Sequence, residues 1–111
     1  MDETLRIKAF LAVRRNQVRD YLDIAALADV TGTARAADVL GRIDEHYPDR
    51  RGDGDAASAQ VARQLSDPRP ADSRVIGQLP RYKKLAAVWH DWAAVVAACR
   101  QIADRMLDEG V

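Results

Sequence analysis

Asn16-Gln17-Val18-Arg19-Asp20-Tyr21-Leu22-Asp23-Ile24-Ala25-Ala26-Leu27-Ala28-Asp29-Val30-Thr31-Gly32 reads as a helix with both of its ends marked. Asn16 is a residue type that caps helix N-termini with its side-chain oxygen, and Gly32 suits the C′ position, where a Cβ is penalised. Between them Val18, Tyr21, Leu22, Ala25 and Ala28 recur at helical spacing and form one apolar face, with Asp20, Asp23 and Leu27 on an adjacent one.

The same pattern continues on both sides. Upstream, a helix is expected over Glu3–Arg14, with Asp2 as its N-cap and Leu5, Ala9, Ala12 and Val13 as its core stripe. Ile7, Phe10 and Leu11 widen that stripe, so Lys8 among them must snorkel to water, pair with a carboxylate or face a cleft. Downstream, Thr33 is positioned to cap a third helix running from Ala34 to about Glu45, with Ala36, Val39, Leu40 and Ile43 inward and Pro48 as a stop. The polar run Asp49–Asp55 reads as a loop. Its Asp53 and Asp55 lack the following ligands and terminal Glu of a calcium loop. A fourth helix is expected over Ala56–Leu65, ending at Asp67-Pro68-Arg69-Pro70, where two prolines forbid continuation. From Asp72 to Trp89, divided by Pro80, short helical turns are expected. Asp91 then caps a last helix over Trp92–Asp108, closed by Gly110, with Val95, Val96, Cys99, Ile102, Ala103, Met106 and Leu107 in register. The expected fold is all-α: about five helices around one core in a single domain over 1–111, with an irregular segment near 67–82.

Composition agrees. Hydrophobic residues are 48% and charged residues 31% of 111, a globular balance, and aromatics are only 5% against abundant Ala, Leu and Val. That favours closely packed helices over a β-sandwich. The 17 basic and 17 acidic residues cancel, so no global field attracts nucleic acid or an anionic membrane. A local basic patch at Arg14, Arg15 and Arg19 is compatible with that balance. The lone Cys99 forbids an internal disulfide and suits a reducing compartment. No segment reaches the length of a membrane span, and the acidic N-terminus is no secretory signal. A soluble, cytoplasmic protein is the expectation, with no membrane contact.

The densest group of chemically capable side chains is Arg14-Arg15-Asn16-Gln17-Val18-Arg19-Asp20-Tyr21-Leu22-Asp23. Two readings compete. Arg15, Arg19, Asp20 and Asp23 can form an ion-pair network stitching the first helix to the second, or a carboxylate and several basic groups can face a bound phosphate.

The run Lys8…Arg19-Asp20-Tyr21-Leu22-Asp23-Ile24 resembles the later motifs of abortive-infection (AbiEii-type) nucleotidyltransferase toxins, in which a lysine on one helix precedes an Arg-x-x-[Lys/Arg]-Asp-x-x-Asp-Leu segment opening the next. Arg15 or Asn16 stands at the first position and Ile24 replaces the usual Leu. The resemblance, which covers roughly the first quarter of the chain, implies catalytic roles for Lys8, Asp20 and Asp23 and nucleotide contacts for Lys8, Arg15 and Arg19. The Gly-rich and Asp-x-Asp motifs that hold Mg²⁺ in that family are missing: only seven residues precede Lys8. The implied protein is a nucleotidyltransferase-derived helical domain. It would be a remnant, or the helical half of a split enzyme that needs a partner chain before Mg²⁺ and a nucleoside triphosphate can bind. It has no metal site or cofactor by itself. The alternative is a non-catalytic protein–protein interaction module of a defence or toxin–antitoxin operon, binding a protein partner or a second copy. DNA binding through the third helix with Arg35 and Arg42 gains nothing from the net charge, and nucleic acid is not an expected partner.

Elsewhere, Trp89-His90-Asp91-Trp92 could place a general base between indoles, but Asp91 already caps a helix and the tryptophans suit core anchors. His46 and His90 lack the neighbouring ligands zinc needs. Cys99 reads as a small buried hydrophobe, and Tyr82-Lys83-Lys84 as solvated surface.

Overall fold

The computed structural model describes residues 2–45, 57–81 and 87–109. The run 49–55, Pro48, His46, Tyr82-Lys83-Lys84 and Gly110 lie outside the described residues. The elements, in order, are α1 (Asp2–Arg15), α2 (Val18–Thr31), α3 (Thr33–Gly41), a 3₁₀ turn (Ile43–Glu45), α4 (Ala57–Ser66), 3₁₀ segments at Ser73–Arg81 and Ala87–His90, and α5 (Trp92–Glu109). The all-α fold is as the periodicity predicts, and no strand occurs among the described residues.

Alanine-rich faces let the helices approach closely. α1 packs on α2, with Leu5, Ala9 and Ala12 of α1 and Tyr21, Ile24 and Ala25 of α2 in the buried core, and α5, which contributes Val95, Cys99, Ile102 and Ala103 to that core, lies against α2, α3 and α4. Leu79 and Trp89 bring the segments 67–81 and 87–90 into the same core. Trp92 packs on that core and meets Tyr21 edge-to-face at 6.1 Å between ring centroids. Asp91 caps α5 as expected, its Oδ1 accepting from the Ala93 N–H at 3.0 Å.

Three boundaries differ from the sequence reading; at the first, Thr33 is not the cap of the third helix but its first residue, and Gly32 stands at the cap. The third helix stops at Gly41 instead of continuing to Glu45, and Arg42 turns the chain into a 3₁₀ turn. Ile43 stays fully buried either way, which is why apolar spacing could not separate the two geometries. The cap of α2 is Gln17, not Asn16. Asn16 instead takes a left-handed conformation, φ 52°, and closes α1 with its N–H on the Ala12 carbonyl at 2.9 Å. Gly32 is the single residue between α2 and α3, at φ 94° and ψ 142°, a region essentially restricted to glycine.

Candidate functional site

The turn Asn16-Gln17 brings the basic last turn of α1 against the first turn of α2, and the sequence-derived cluster gathers there. Asp20 is fully buried, the one buried charged side chain among the described residues. One carboxylate oxygen accepts from Arg15 Nη2 at 2.5 Å and the other from the Gln17 N–H at 3.2 Å. Asp20 therefore occupies the third position of α2 and reaches back to its cap, a geometry that satisfies an orphan N–H and places negative charge at the helix's positive end. The hydrogen bond to Asp20 and its charge raise the Arg15 pKa above its already high ordinary value.

One turn further along, Lys8 Nζ lies 3.0 Å from Asp23 Oδ2, with each side chain about one-third exposed. Lys8 thus pairs with a carboxylate, one of the three fates open to it. Arg19 is exposed at the start of α2 and has no carboxylate partner among the described residues. The five residues implied by the resemblance do converge on one region. There, Lys8, Arg15, Asp20 and Asp23 are matched to one another across the α1–α2 junction.

The region has a second wall that the sequence did not announce. The Asn16 side-chain amide donates to the Arg69 carbonyl at 2.8 Å, and the Asn16 carbonyl accepts from the Ala71 N–H at 2.7 Å. Asp72 Oδ1 accepts from the Val18 N–H at 2.8 Å, capping α2 from 54 residues away. The Tyr21 hydroxyl bridges Asn16 and Gln64 of α4, at 2.8 Å from Gln64 Oε1. Burial, with the nearby Cys99 and Asp20, pushes the Tyr21 pKa up to about 12. Cys99, buried on α5, is likewise pushed up to about 12 by desolvation, so it is a neutral thiol at ordinary pH. A shallow cleft of about 370 Å³ lined by Gln17, Ala71, Asp72, Ser73 and Arg74 opens beside the junction. Among the described residues no three His, Cys, Asp or Glu side chains group as metal ligands would.

Asp72, Gln64 and Arg74 are the members that sequence reasoning missed. Asp72 follows Pro70 in what reads as a turn, and no local signal pairs it with the start of a helix far upstream.

Fold and junction together define a class: an all-α helical module whose first two helices are locked by ion pairs, a local carboxylate cap and a long-range one. Comparison with known proteins finds relatives that are named as transport proteins. The chain is 34% identical over 107 residues to the mycolic acid-containing lipids exporter MmpL11 of Mycolicibacterium smegmatis. It is 33% identical over the same length to the heme uptake protein MmpL11 of Mycobacterium tuberculosis and to the probable transport protein MmpL11 of Mycobacterium bovis. Each match covers 96% of this chain and 10–11% of the relative, so the chain spans about a tenth of the length of the curated relatives it matches. No family model and no solved structure matches it.

These relatives overturn the resemblance to AbiEii-type nucleotidyltransferase toxins. The half-enzyme reading falls with it, and so does the alternative of an interaction module in a toxin–antitoxin or defence operon. The motif misled for a physical reason. A helix that caps itself with an acid at its third position and pairs with a preceding basic helix end generates Arg-Asp-x-x-Asp without any nucleotide. The cytoplasmic expectation is corrected on the same ground, since the relatives are named as exporter, uptake and transport proteins. No helix among the described residues is long and apolar enough to cross a membrane.

Proposed function

We propose that the chain acts as a helical module of a transport protein of the MmpL11 kind, serving the movement of hydrophobic or amphiphilic cargo and performing no covalent chemistry. The observation that carries this reading is the 34% identity to a lipid exporter across 107 of the chain's residues. The geometry is consistent with it. Asp20 is buried and matched by Arg15, Asp23 is matched by Lys8, and the Cys99 thiol is sealed in the core. On this reading Lys8, Arg15, Asp20 and Asp23 hold the α1–α2 pair rigid, Arg19 is left to the surface, and Mg²⁺ and a nucleoside triphosphate have no part at this chain. Its partner is the remainder of a transport protein.

The test is a graft. The matching stretch of the M. smegmatis exporter is excised in frame and replaced by this chain, and export of mycolic acid-containing lipids is measured beside the abundance of the protein. Export should fall on excision and recover with the graft. A stably produced graft that exports no better than the excised protein refutes the proposal.

A further inference from the structure

We infer that two copies of this chain associate through the outward face of α1, packed antiparallel across a two-fold axis. α1 buries Leu5, Ala9 and Ala12 on the core. Glu3, Ile7, Phe10 and Arg14 follow one another at intervals of four, three and four residues, so they form one stripe along the opposite side of the helix. A helix on the surface of a globule ordinarily turns polar side chains to that side. Here Ile7 is 44% exposed, Phe10 is only half-buried, and the half-buried Leu11 widens the apolar middle of the stripe.

The two ends of the stripe carry opposite charges. Glu3 and Arg14 are both exposed, and among the described residues neither has an ion-pair partner. The Arg14 guanidinium lies over the Phe10 ring at 5.6 Å, which orders it at the apolar edge. The neighbouring charges on α1 are engaged within the chain: Lys8 with Asp23, Arg15 with Asp20 and Asp2 with Arg35. Arg6 lies on the flank of the stripe.

Spacing of four, three and four reads the same from either end. A two-fold axis crossing α1 between Lys8 and Ala9 therefore sets Ile7 against Phe10 of the second copy and Glu3 against its Arg14, with each contact made twice. The apolar contacts fall at the axis and the ion pairs about 8 Å to either side of it. A groove of about 310 Å³ between α1 and α4, with Phe10, Val13, Ile43 and Val61 in its walls, opens beside the Phe10 contact and can seat the incoming Ile7. A parallel pairing would set Glu3 on Glu3 and Arg14 on Arg14, so like charges select the antiparallel one, in which the helix dipoles also oppose.

The experiment is sedimentation equilibrium of the full chain at concentrations up to about 1 mM, because an interface made by one helix pair is small. A dimer should grow in as the concentration rises. Ile7→Asp removes two apolar contacts per dimer and should weaken association at least about a hundredfold. Val30→Ser, at an exposed valine on α2, should leave it unchanged. Glu3→Lys and Arg14→Glu should each weaken it about tenfold. An equimolar mixture of those two variants should associate nearly as the parent does, because their heterodimer regains opposite charges at both contacts. If circular dichroism shows Ile7→Asp misfolded, the charge-reversal mixture decides by itself. A monomer at every concentration overturns the inference. So does a dimer that Ile7→Asp leaves intact, or a pair of charge variants that associate no better mixed than apart. The chain is tested in isolation, so this result and that of the graft are independent: either can fail while the other stands.

Discussion

Replacing Asp20 by alanine should destabilise the fold far more than replacing Asp23, although the two carboxylates stand one helical turn apart and share a motif. Asp20 is fully buried and serves two donors, the Arg15 guanidinium at 2.5 Å and the Gln17 N–H at 3.2 Å. Removing a helix-capping acceptor costs about 1 kcal/mol, and leaving a partly buried N–H short of an acceptor, over a small void, raises that to about 2–3 kcal/mol. Arg15 adds little to the loss, because its side chain is 44% exposed and recovers water. The Lys8–Asp23 pair, about one-third exposed on both sides, belongs with surface ion pairs worth about 0–1 kcal/mol. For a domain near this size each kcal/mol moves the melting midpoint by about 4–8 °C. Asp20→Ala should therefore lower it by roughly 10–20 °C and Asp23→Ala by no more than about 8 °C. Asp20→Asn, which keeps an acceptor for Gln17 but not the charge for Arg15, should fall between them. Thermal melts followed by far-UV circular dichroism decide it. If Asp20→Ala melts within a few degrees of Asp23→Ala, the structural reading of the motif is refuted and a carboxylate held for some other purpose must be sought.

Three further outcomes are expected. Asp72→Ala removes the long-range cap on Val18 and should cost about 1 kcal/mol, while speeding proteolytic cleavage in 67–81 as that segment loses its fastening to α2. Gly32→Ala forces a side chain into a backbone region suited to glycine at the only residue between α2 and α3, and should cost about 2 kcal/mol in urea unfolding although no atom blocks the Cβ. Stability should fall as the pH rises from about 9 to about 12. Cys99 and Tyr21 both have folded pKa values of about 12, against ordinary values of 9.0 and 10.0, so the unfolded chain loses their protons first and alkali favours it. Cys99→Ala should delay the onset of that fall in pH-dependent melts.

The fold was legible because each helix carries its own punctuation. Asp2 begins α1, Gly32 divides α2 from α3, the Pro68–Pro70 pair follows α4, and Asp91 begins α5, all signals within a few residues of the boundary they mark. The sequence reading failed where geometry is set by distant chain. Asn16 looked like an N-cap because its residue type suits that place. Its left-handed conformation, with the amide turned to Arg69, is fixed by a segment 53 residues later. At the α3 end, Ile43 is buried whether the chain is α or 3₁₀, so the apolar pattern carried no information about where the helix stops. The site was half legible. Residue types and spacing placed Lys8, Arg15, Arg19, Asp20 and Asp23 together, and they do lie together. Spacing could not tell a carboxylate turned inward to cap its own helix from one turned outward to a ligand, because that choice depends on Arg15 reaching back across the turn.

The most direct measurement of the central claim is the rate of mycolic acid-containing lipid export by an M. smegmatis exporter carrying this chain, compared with one carrying an unrelated helical bundle of equal length. The transport-module account predicts that this chain restores export and the unrelated bundle does not, at equal protein abundance. Equal export from both grafts would mean that the position needs only a spacer, and would contradict it.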